Sequence, residues 1–290
     1  MTGSSDGIVR LFRNYESPKD ISLVTAFRGL SDLVPSNRNA GLVFNWQQGQ
    51  GKALVAGDTK VIKVWNAATE VCTSEIPARS GSCVTSLTGD QVAGQVFVAG
   101  FGDGAVRVFD QRLSVRSACV KVWREHRQWI VGVHMQRGGV RELVSGARNG
   151  EVKLWDLRWE GSVGNVDALK SSEHPQSTNM SPSEHPTSGA GSGPTPKTMR
   201  SLSVHEHAPV FAVGTDRHEI RTFNTNGKLL GHFDIGAGGA GGGWGRGTMA
   251  GTIGVGTGKS SPVIATAYHP HRMVLATAGL GQGHVSLLGI

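Results

Sequence analysis

The sequence has few of the features that mark several protein classes. Only three of its 290 residues are cysteines (Cys72, Cys83 and Cys119), and none forms a Cys-x-x-Cys pair. This excludes a disulfide scaffold and a thiolate zinc site, and it is typical of a reducing compartment. No apolar run approaches the ~20 residues that cross a bilayer, and the N-terminus lacks the apolar core of a secretion signal. We therefore expect a soluble chain with no membrane insertion.

Glycine and positive charge, by contrast, are abundant. The chain contains 42 glycines and 11 prolines, while only 18% of its residues are charged. This composition favours a fold with many turns over a helical bundle or a wholly disordered chain. The net charge of +7 raises the possibility of a nucleic-acid or anionic-membrane partner.

A short unit recurs six times along the chain. Each copy has an apolar stretch, a glycine, a turn and an alternating stretch closed by an aromatic residue or leucine. The glycine and the closing residue are nine positions apart in five copies and eight in the other: Gly3 and Phe12, Gly57 and Trp65, Gly100 and Phe109, Gly146 and Trp155, Gly214 and Phe223, Gly279 and Leu288. Turn dipeptides such as Asp103-Gly104, followed by strict apolar alternation, predict a β-hairpin in each copy.

The distance between copies predicts the architecture. Two of the glycine-to-glycine intervals are 43 and 46 residues, close to the ~40–45 residues of a four-stranded propeller blade. The sequence thus predicts an all-β propeller. Innermost strands are expected at Ser82–Leu87, Trp129–Met135 and Val263–Tyr268, and outermost strands at Val71–Ile76, Cys119–Trp123 and Leu229–Ile235. Residues 161–200 and 236–260 are poor in apolar residues and are predicted to be disordered insertions, whereas residues 14–40 are predicted to be an ordered excursion.

One copy resembles the WD repeat. Trp155-Asp156 closes a strand, His126 lies 29 residues before Trp155, and Asn149-Gly150 occupies the turn. The resemblance implies a structural hydrogen-bond network made by His126, Ser145, Asn149 and Trp155, with Asn149 in place of the usual aspartate. The other copies retain the hairpin without this set of polar residues.

Longer stretches resemble the C-terminal propeller of the raptor family, above all its fungal members. They include Val24–Pro35, Gly81–Leu87, Val98–Asp110 and Arg124–Trp129. The resemblance implies a propeller of the seven-bladed type in which residues 1–290 form one region that starts within a blade and is incomplete at its N-terminus. It also implies a non-catalytic scaffold that associates with the TOR kinase and its complex in nutrient-responsive control of growth and autophagy. Such a protein is expected in the cytoplasm, at the vacuolar or lysosomal surface.

Candidate chemical sites are weak by comparison. Gly254–Ser260 looks like a phosphate-binding loop, but Ile253 stands where that motif needs glycine, and a strand rather than a helix is predicted to follow. The pairs His205/His207 and His269/His271 lack a third ligand at a suitable spacing, which favours structural roles. The sequence shows no nucleophile–base arrangement. We predict no enzymatic activity, no metal and no cofactor.

The positive charge leaves one rival function open. Arg10, Lys63, Arg107, Lys153 and Arg221 occupy the same strand position in five copies. A cation fixed by repeat geometry and spread around a ring makes a poor contiguous track for phosphates. Nucleic-acid or chromatin binding by a propeller is therefore the less favoured alternative. Ser181-Pro182 and Thr195-Pro196 are candidate phosphorylation sites in the 161–200 segment.

Overall fold

The structure, a computed structural model, describes residues 1–4, 6–14, 17, 19–31, 40–136, 142–170, 197–234, 262–279 and 285–289. Apart from one 3-10 turn at Gln48–Gln50, the regular elements of these residues are all β-strands. They are β1 (Thr2–Gly3), β2 (Ile8–Arg13), β3 (Ser22–Arg28), β4 (Leu42–Gln47), β5 (Lys52–Gly57), β6 (Val61–Asn66), β7 (Val71–Pro77), β8 (Val84–Gly89), β9 (Val96–Phe101), β10 (Val106–Asp110), β11 (Cys119–Trp123), β12 (Ile130–Met135), β13 (Glu142–Ala147), β14 (Glu151–Asp156), β15 (Ser162–Asp167), β16 (Met199–Val204), β17 (Val210–Thr215), β18 (Glu219–Asn224), β19 (Leu229–Asp234), β20 (Val263–Tyr268), β21 (Val274–Gly279) and β22 (Val285–Gly289).

The strands form six separate sheets, which we number one to six in chain order. The described part of sheets one and six contains three strands each, β1–β3 and β20–β22, and sheets two to five contain four each. The predicted all-β propeller is confirmed. The seven-bladed type implied by the family resemblance is wrong for the described residues, because each of the six sequence units supplies one hairpin to one sheet.

Each sheet is an antiparallel meander built around the recurrent glycine hairpin. In sheet three, for example, Gly100 on β9 pairs with Val106 on β10, and Phe109 pairs with Phe97. The tight turn between them depends on Gly104, whose φ is +82° and whose added Cβ would lie 2.4 Å from the carbonyl oxygen of His126. Only glycine fits this position without strain. The predicted innermost and outermost strands are found at β8, β12 and β20, and at β7, β11 and β19.

The first predicted insertion, residues 161–200, overlaps two strands of the described structure. Ser162–Asp167 pairs with β14 as the outermost strand of sheet four, so the prediction of disorder across residues 161–200 is wrong for this segment. Met199 and Arg200 likewise begin β16. The remaining residues, 171–196, lie outside the described residues, as do residues 236–260. Within the predicted 14–40 excursion, Ser22–Arg28 is the outermost strand of sheet one.

Neighbouring sheets pack through their apolar faces and through polar bonds between innermost strands. Phe97, Phe101 and Phe109 are fully buried in a cluster that includes residues of sheet two. Near the axis, the Thr88 hydroxyl accepts a hydrogen bond from the Met135 amide of the next sheet at 3.0 Å. In the same way, the Ser203 hydroxyl of sheet five accepts a hydrogen bond from the Tyr268 amide of sheet six at 2.9 Å. These bonds set the register of adjacent sheets.

Candidate functional site

The WD-repeat residues of sheet four form a buried chain of hydrogen bonds. Ser145 lies on β13 and is fully buried, and Trp155 on β14 is 1% exposed. The indole Nε1 of Trp155 donates to Ser145 Oγ at 2.7 Å, and Ser145 Oγ lies 2.7 Å from His126 Nε2. The structure therefore brings together three of the four predicted residues, His126, Ser145 and Trp155.

Asn149, the fourth predicted residue, is not part of this chain of bonds. Its side-chain oxygen accepts the backbone N–H of Glu151 at 3.4 Å, within its own turn. Glu151 takes the expected role instead, since its Oε2 lies 3.1 Å from His126 Nδ1. We therefore correct the sequence expectation from Asn149 to Glu151. An acidic residue two positions after the turn asparagine, at the first position of β14, is the signal that could have identified it.

The direction of the hydrogen bonds follows from the protonation of His126. Burial lowers the pKa of His126 below its usual value, while Glu151 opposes that effect. In the neutral ring, Nδ1–H donates to the Glu151 carboxylate, and Nε2 accepts the Ser145 hydroxyl proton. Ser145 in turn accepts from Trp155, so every polar group along the chain is satisfied. This arrangement locks the hairpin to the preceding loop, which is a structural role.

A polar depression of about 500 Å³ adjoins this network. It is lined by Glu125, Arg127, Asn149, Glu151, Lys153, Asn165, Asp167 and Lys170. The Lys153 ammonium lies 3.3 Å from Glu125 and 3.2 Å from Glu151. The charges of these groups are thus largely compensated within the protein. No group of three or more His, Cys, Asp or Glu side chains suited to a metal ion occurs among the described residues.

The recurrent cations are part of the architecture. Arg107, only 2% exposed, donates from Nη1 to the carbonyl oxygens of Ala78, at 2.7 Å, and Arg79. Arg221 makes the corresponding bonds to Ala168 and Lys170 at 3.3 and 3.0 Å. Ala78 and Ala168 each directly follow the outermost strand of the preceding sheet, so these guanidiniums join adjacent sheets. The corresponding ammonium of Lys63 pairs with Glu75 at 3.2 Å. Groups held in this way are poorly placed to bind phosphates.

The two histidine pairs predicted from the sequence also make local structural contacts. His205 Nδ1 accepts the amides of His207 and Ala208 at 3.2 and 3.0 Å, and His269 Nδ1 accepts the amide of His271 at 3.1 Å. The rings of His207 and His271 stack at 5.4 Å. The loop Gly254–Ser260 and the phosphorylation candidates Ser181 and Thr195 lie outside the described residues.

The three cysteines are unpaired and partly buried. Burial raises the pKa of each thiol, at Cys72, Cys83 and Cys119. Their thiolate forms are therefore disfavoured, which argues against nucleophilic roles. The described residues contain no helix that is long and apolar enough to span a membrane.

Comparison with known proteins adds to these observations. The family model described as WD domain, G-beta repeat matches residues 117–156. The chain is 40% identical to the target of rapamycin complex 1 subunit KOG1 of Saccharomyces cerevisiae, over 100% of this chain and 18% of that protein. It is 39% identical to the subunit mip1 of the same complex in Schizosaccharomyces pombe, over 99% of this chain and 19% of that protein.

A solved structure matches as well. The crystal structure of Chaetomium thermophilum Raptor superposes with a TM-score of 0.74 and 41% identity, covering 100% of this chain and 22% of that one. The chain thus spans about a fifth of the length of the relatives that it matches.

The meander sheets and the buried His–Ser–Trp network define this chain as a WD-repeat β-propeller. The sequence and structure matches then narrow the class. The chain is homologous to fungal raptor over its whole length. None of these comparisons supports the nucleic-acid alternative.

Proposed function

We propose that this chain is the propeller of a non-catalytic scaffold subunit of TOR complex 1. The observation that carries the proposal is the identity of 40% and 39%, over essentially the whole chain, with two proteins named as subunits of that complex. In this role the propeller supplies protein-binding surfaces to the complex that contains the TOR kinase.

The physical character of the propeller supports a binding role over a catalytic one. Its buried polar network, His126, Ser145 and Trp155 with Glu151, is internally satisfied. His126 and Glu151, the groups that could activate a nucleophile, are thus already engaged in hydrogen bonds that stabilise the fold. The loops between strands bring several sheets to a common surface, which suits a binding platform.

The remaining parts of the proposal follow from the same homology. We propose that the subunit acts in the cytoplasm, at the vacuolar or lysosomal surface as part of the complex, in nutrient-responsive control of growth and autophagy. The chain itself spans about a fifth of its relatives, so these roles belong to the whole protein.

A pull-down of the tagged full-length gene product from nutrient-fed cells tests the proposal. We expect the TOR kinase to be recovered with the wild-type protein and lost when residues 81–109, which contain β8, β9 and most of β10, are deleted. Limited proteolysis of the deletion variant, together with recovery of a partner that binds outside the propeller, controls for global unfolding. Absence of the TOR kinase from the wild-type sample would overturn the proposal.

A further inference from the structure

The chain contains two Asn-Gly dipeptides, Asn149-Gly150 and Asn226-Gly227. This dipeptide is chemically labile, because glycine has no side chain to hinder the attack of its backbone nitrogen on the asparagine carboxamide. Both dipeptides lie in turns of the same kind. The glycine N–H donates to the carbonyl oxygen three residues earlier, that of Ala147 at 2.9 Å and that of Asn224 at 3.0 Å, and both glycines have positive φ, +89° and +83°. The two turns therefore form a matched pair within one protein.

A closed turn of this kind opposes deamidation. The glycine nitrogen carries the proton that makes the hydrogen bond of the turn, and the asparagine backbone is held in the conformation of the turn. The nitrogen reaches the carboxamide carbon only when the turn opens. The deamidation rate in the folded chain is therefore the rate in the unfolded chain multiplied by the fraction of time for which the turn is open. The contacts around each turn determine that fraction.

The turn of Asn149 is held from several sides. It connects β13 and β14, the two central strands of sheet four. Gly150 is buried, and Leu169 Cγ lies 2.3 Å from the position that a Cβ of residue 150 would take. Three backbone hydrogen bonds of 2.9 Å tie the turn to other segments: from Arg148 to Trp129, from Ala168 to Gly150 and from Met199 to Arg148. Opening this turn therefore disturbs contacts with the neighbouring strands and loops.

The turn of Asn226 has fewer restraints. It connects β18 to β19, the strand at the edge of sheet five. One backbone bond joins it to another segment, from the Thr225 amide to the Pro209 carbonyl at 2.8 Å, while its other bonds, between Asn224 and Lys228, lie within the turn. Asn226 is exposed. Segments at the edge of a sheet open at a lower cost in free energy than central ones, so this turn is open for a larger fraction of the time.

We propose that Asn226 is a site of spontaneous deamidation in the folded protein, whereas Asn149 is protected. In the opened turn, the Gly227 nitrogen gives up its proton and bonds to Asn226 Cγ, and the Cγ–Nδ2 bond breaks. The side-chain nitrogen takes up a proton and leaves as ammonia, which gives a cyclic imide. Water then opens the imide at one of its two carbonyls, which gives aspartate or isoaspartate.

Both products change the turn between β18 and β19. Each adds a negative charge at residue 226, and isoaspartate also lengthens the backbone by one atom at the point where β19 begins to pair with β18. The isoaspartyl carboxylate is a substrate for enzymes that methylate this group. The proposal depends on the two turns alone and not on the assignment to TOR complex 1.

Incubation of the full 290-residue chain at neutral pH, followed by peptide mass spectrometry, tests the proposal. The mass increase on replacement of NH₂ by OH reports deamidation at each asparagine. We expect Asn226 to convert about tenfold faster than Asn149, because the Asn149 turn must break two more hydrogen bonds to other segments before it opens. In the urea-unfolded chain the two should convert at similar rates, since each asparagine is followed by glycine.

Two matched variants identify the source of the isoaspartate, which is measured by enzymatic methylation of the incubated chain. Asn226→Gln should remove most of the methylation, because glutamine forms the corresponding imide far more slowly than asparagine. Asn149→Gln should leave the methylation unchanged. Both asparagines are exposed, so neither variant alters a buried contact.

Three outcomes would overturn the proposal. The first is conversion of the two asparagines at equal rates in the folded chain. The second is faster conversion of Asn149. The third is an Asn226 that stays intact in the folded chain over the time in which the unfolded chain is converted.

Discussion

Replacement of Ser145 by alanine tests the WD-repeat network most directly. The change removes one hydroxyl from a fully buried position on β13 and leaves the backbone pairing of the strand unchanged. That hydroxyl accepts from Trp155 and lies within hydrogen-bond distance of His126, at 2.7 Å in each case. The variant therefore leaves one buried donor and one buried acceptor without their partner.

The magnitude follows from these two groups. A buried polar group that loses its partner costs about 1–3 kcal/mol, which gives a range of about 2–6 kcal/mol for two independent groups. The fold also contains buried indole nitrogens, in Trp65 and Trp123, for which the described structure shows no hydrogen-bond partner. A partnerless indole is thus compatible with this fold. We therefore expect a loss of unfolding free energy in the lower part of the range, about 2–4 kcal/mol.

Urea unfolding followed by tryptophan fluorescence measures this loss. Ser114→Ala is the matched control, because Ser114 is an exposed loop residue that bonds only to Ser117 in the described structure; its effect should stay within about 0.5 kcal/mol. A Ser145→Ala variant with the midpoint and slope of the wild type would refute the reasoning, since the network would then contribute nothing to stability.

Three further predictions follow from the described contacts. Because burial lowers the pKa of His126, the unfolded chain binds a proton at this residue more tightly than the folded chain does. The free energy of unfolding should therefore fall as the pH drops below about 6.5. In urea titrations between pH 7 and 5, His126→Gln should flatten that dependence. Gly104→Ala places a Cβ 2.4 Å from a carbonyl oxygen at a φ of +82° and should lower the free energy of unfolding by about 1–3 kcal/mol. The control Gly81→Ala, whose Cβ meets open space, should be near neutral, and equal melting temperatures of the two variants would contradict this. Arg107→Ala removes the donor for two carbonyls of the preceding sheet and should cost about 2–4 kcal/mol by calorimetry, a loss that would be absent if solvent replaced the guanidinium.

The hairpins were predictable from the sequence because local chemistry determines them. Asp103-Gly104 and Asn149-Gly150 require turns with positive φ, and the alternating residues after them have one buried face. Both glycines adopt that conformation, with φ of +82° and +89°. The glycine-to-aromatic spacing then fixes how the two strands of each hairpin pair.

The missed features depend on tertiary pairing instead. Ser162–Asp167 contains Gly, Asn and Asp, which have low strand propensity, but five of its six residues pair with residues of β14. The role of Glu151 depends on where its side chain reaches in space, because Asn149 is used by its own turn. The number of sheets was predicted from family resemblance rather than from the six units in the chain.

The guanidinium links between sheets also have a consequence for the order of events during synthesis. The carbonyl of Ala78 receives its donor from Arg107, 29 residues later in the chain, and that of Ala168 receives its donor from Arg221, 53 residues later. At roughly 5–20 residues per second, a ribosome needs seconds to deliver each donor. The outer edge of each of these two sheets is therefore completed only after the next sheet has emerged. Assembly of the propeller should proceed along the chain with a lag of about one sheet behind translation.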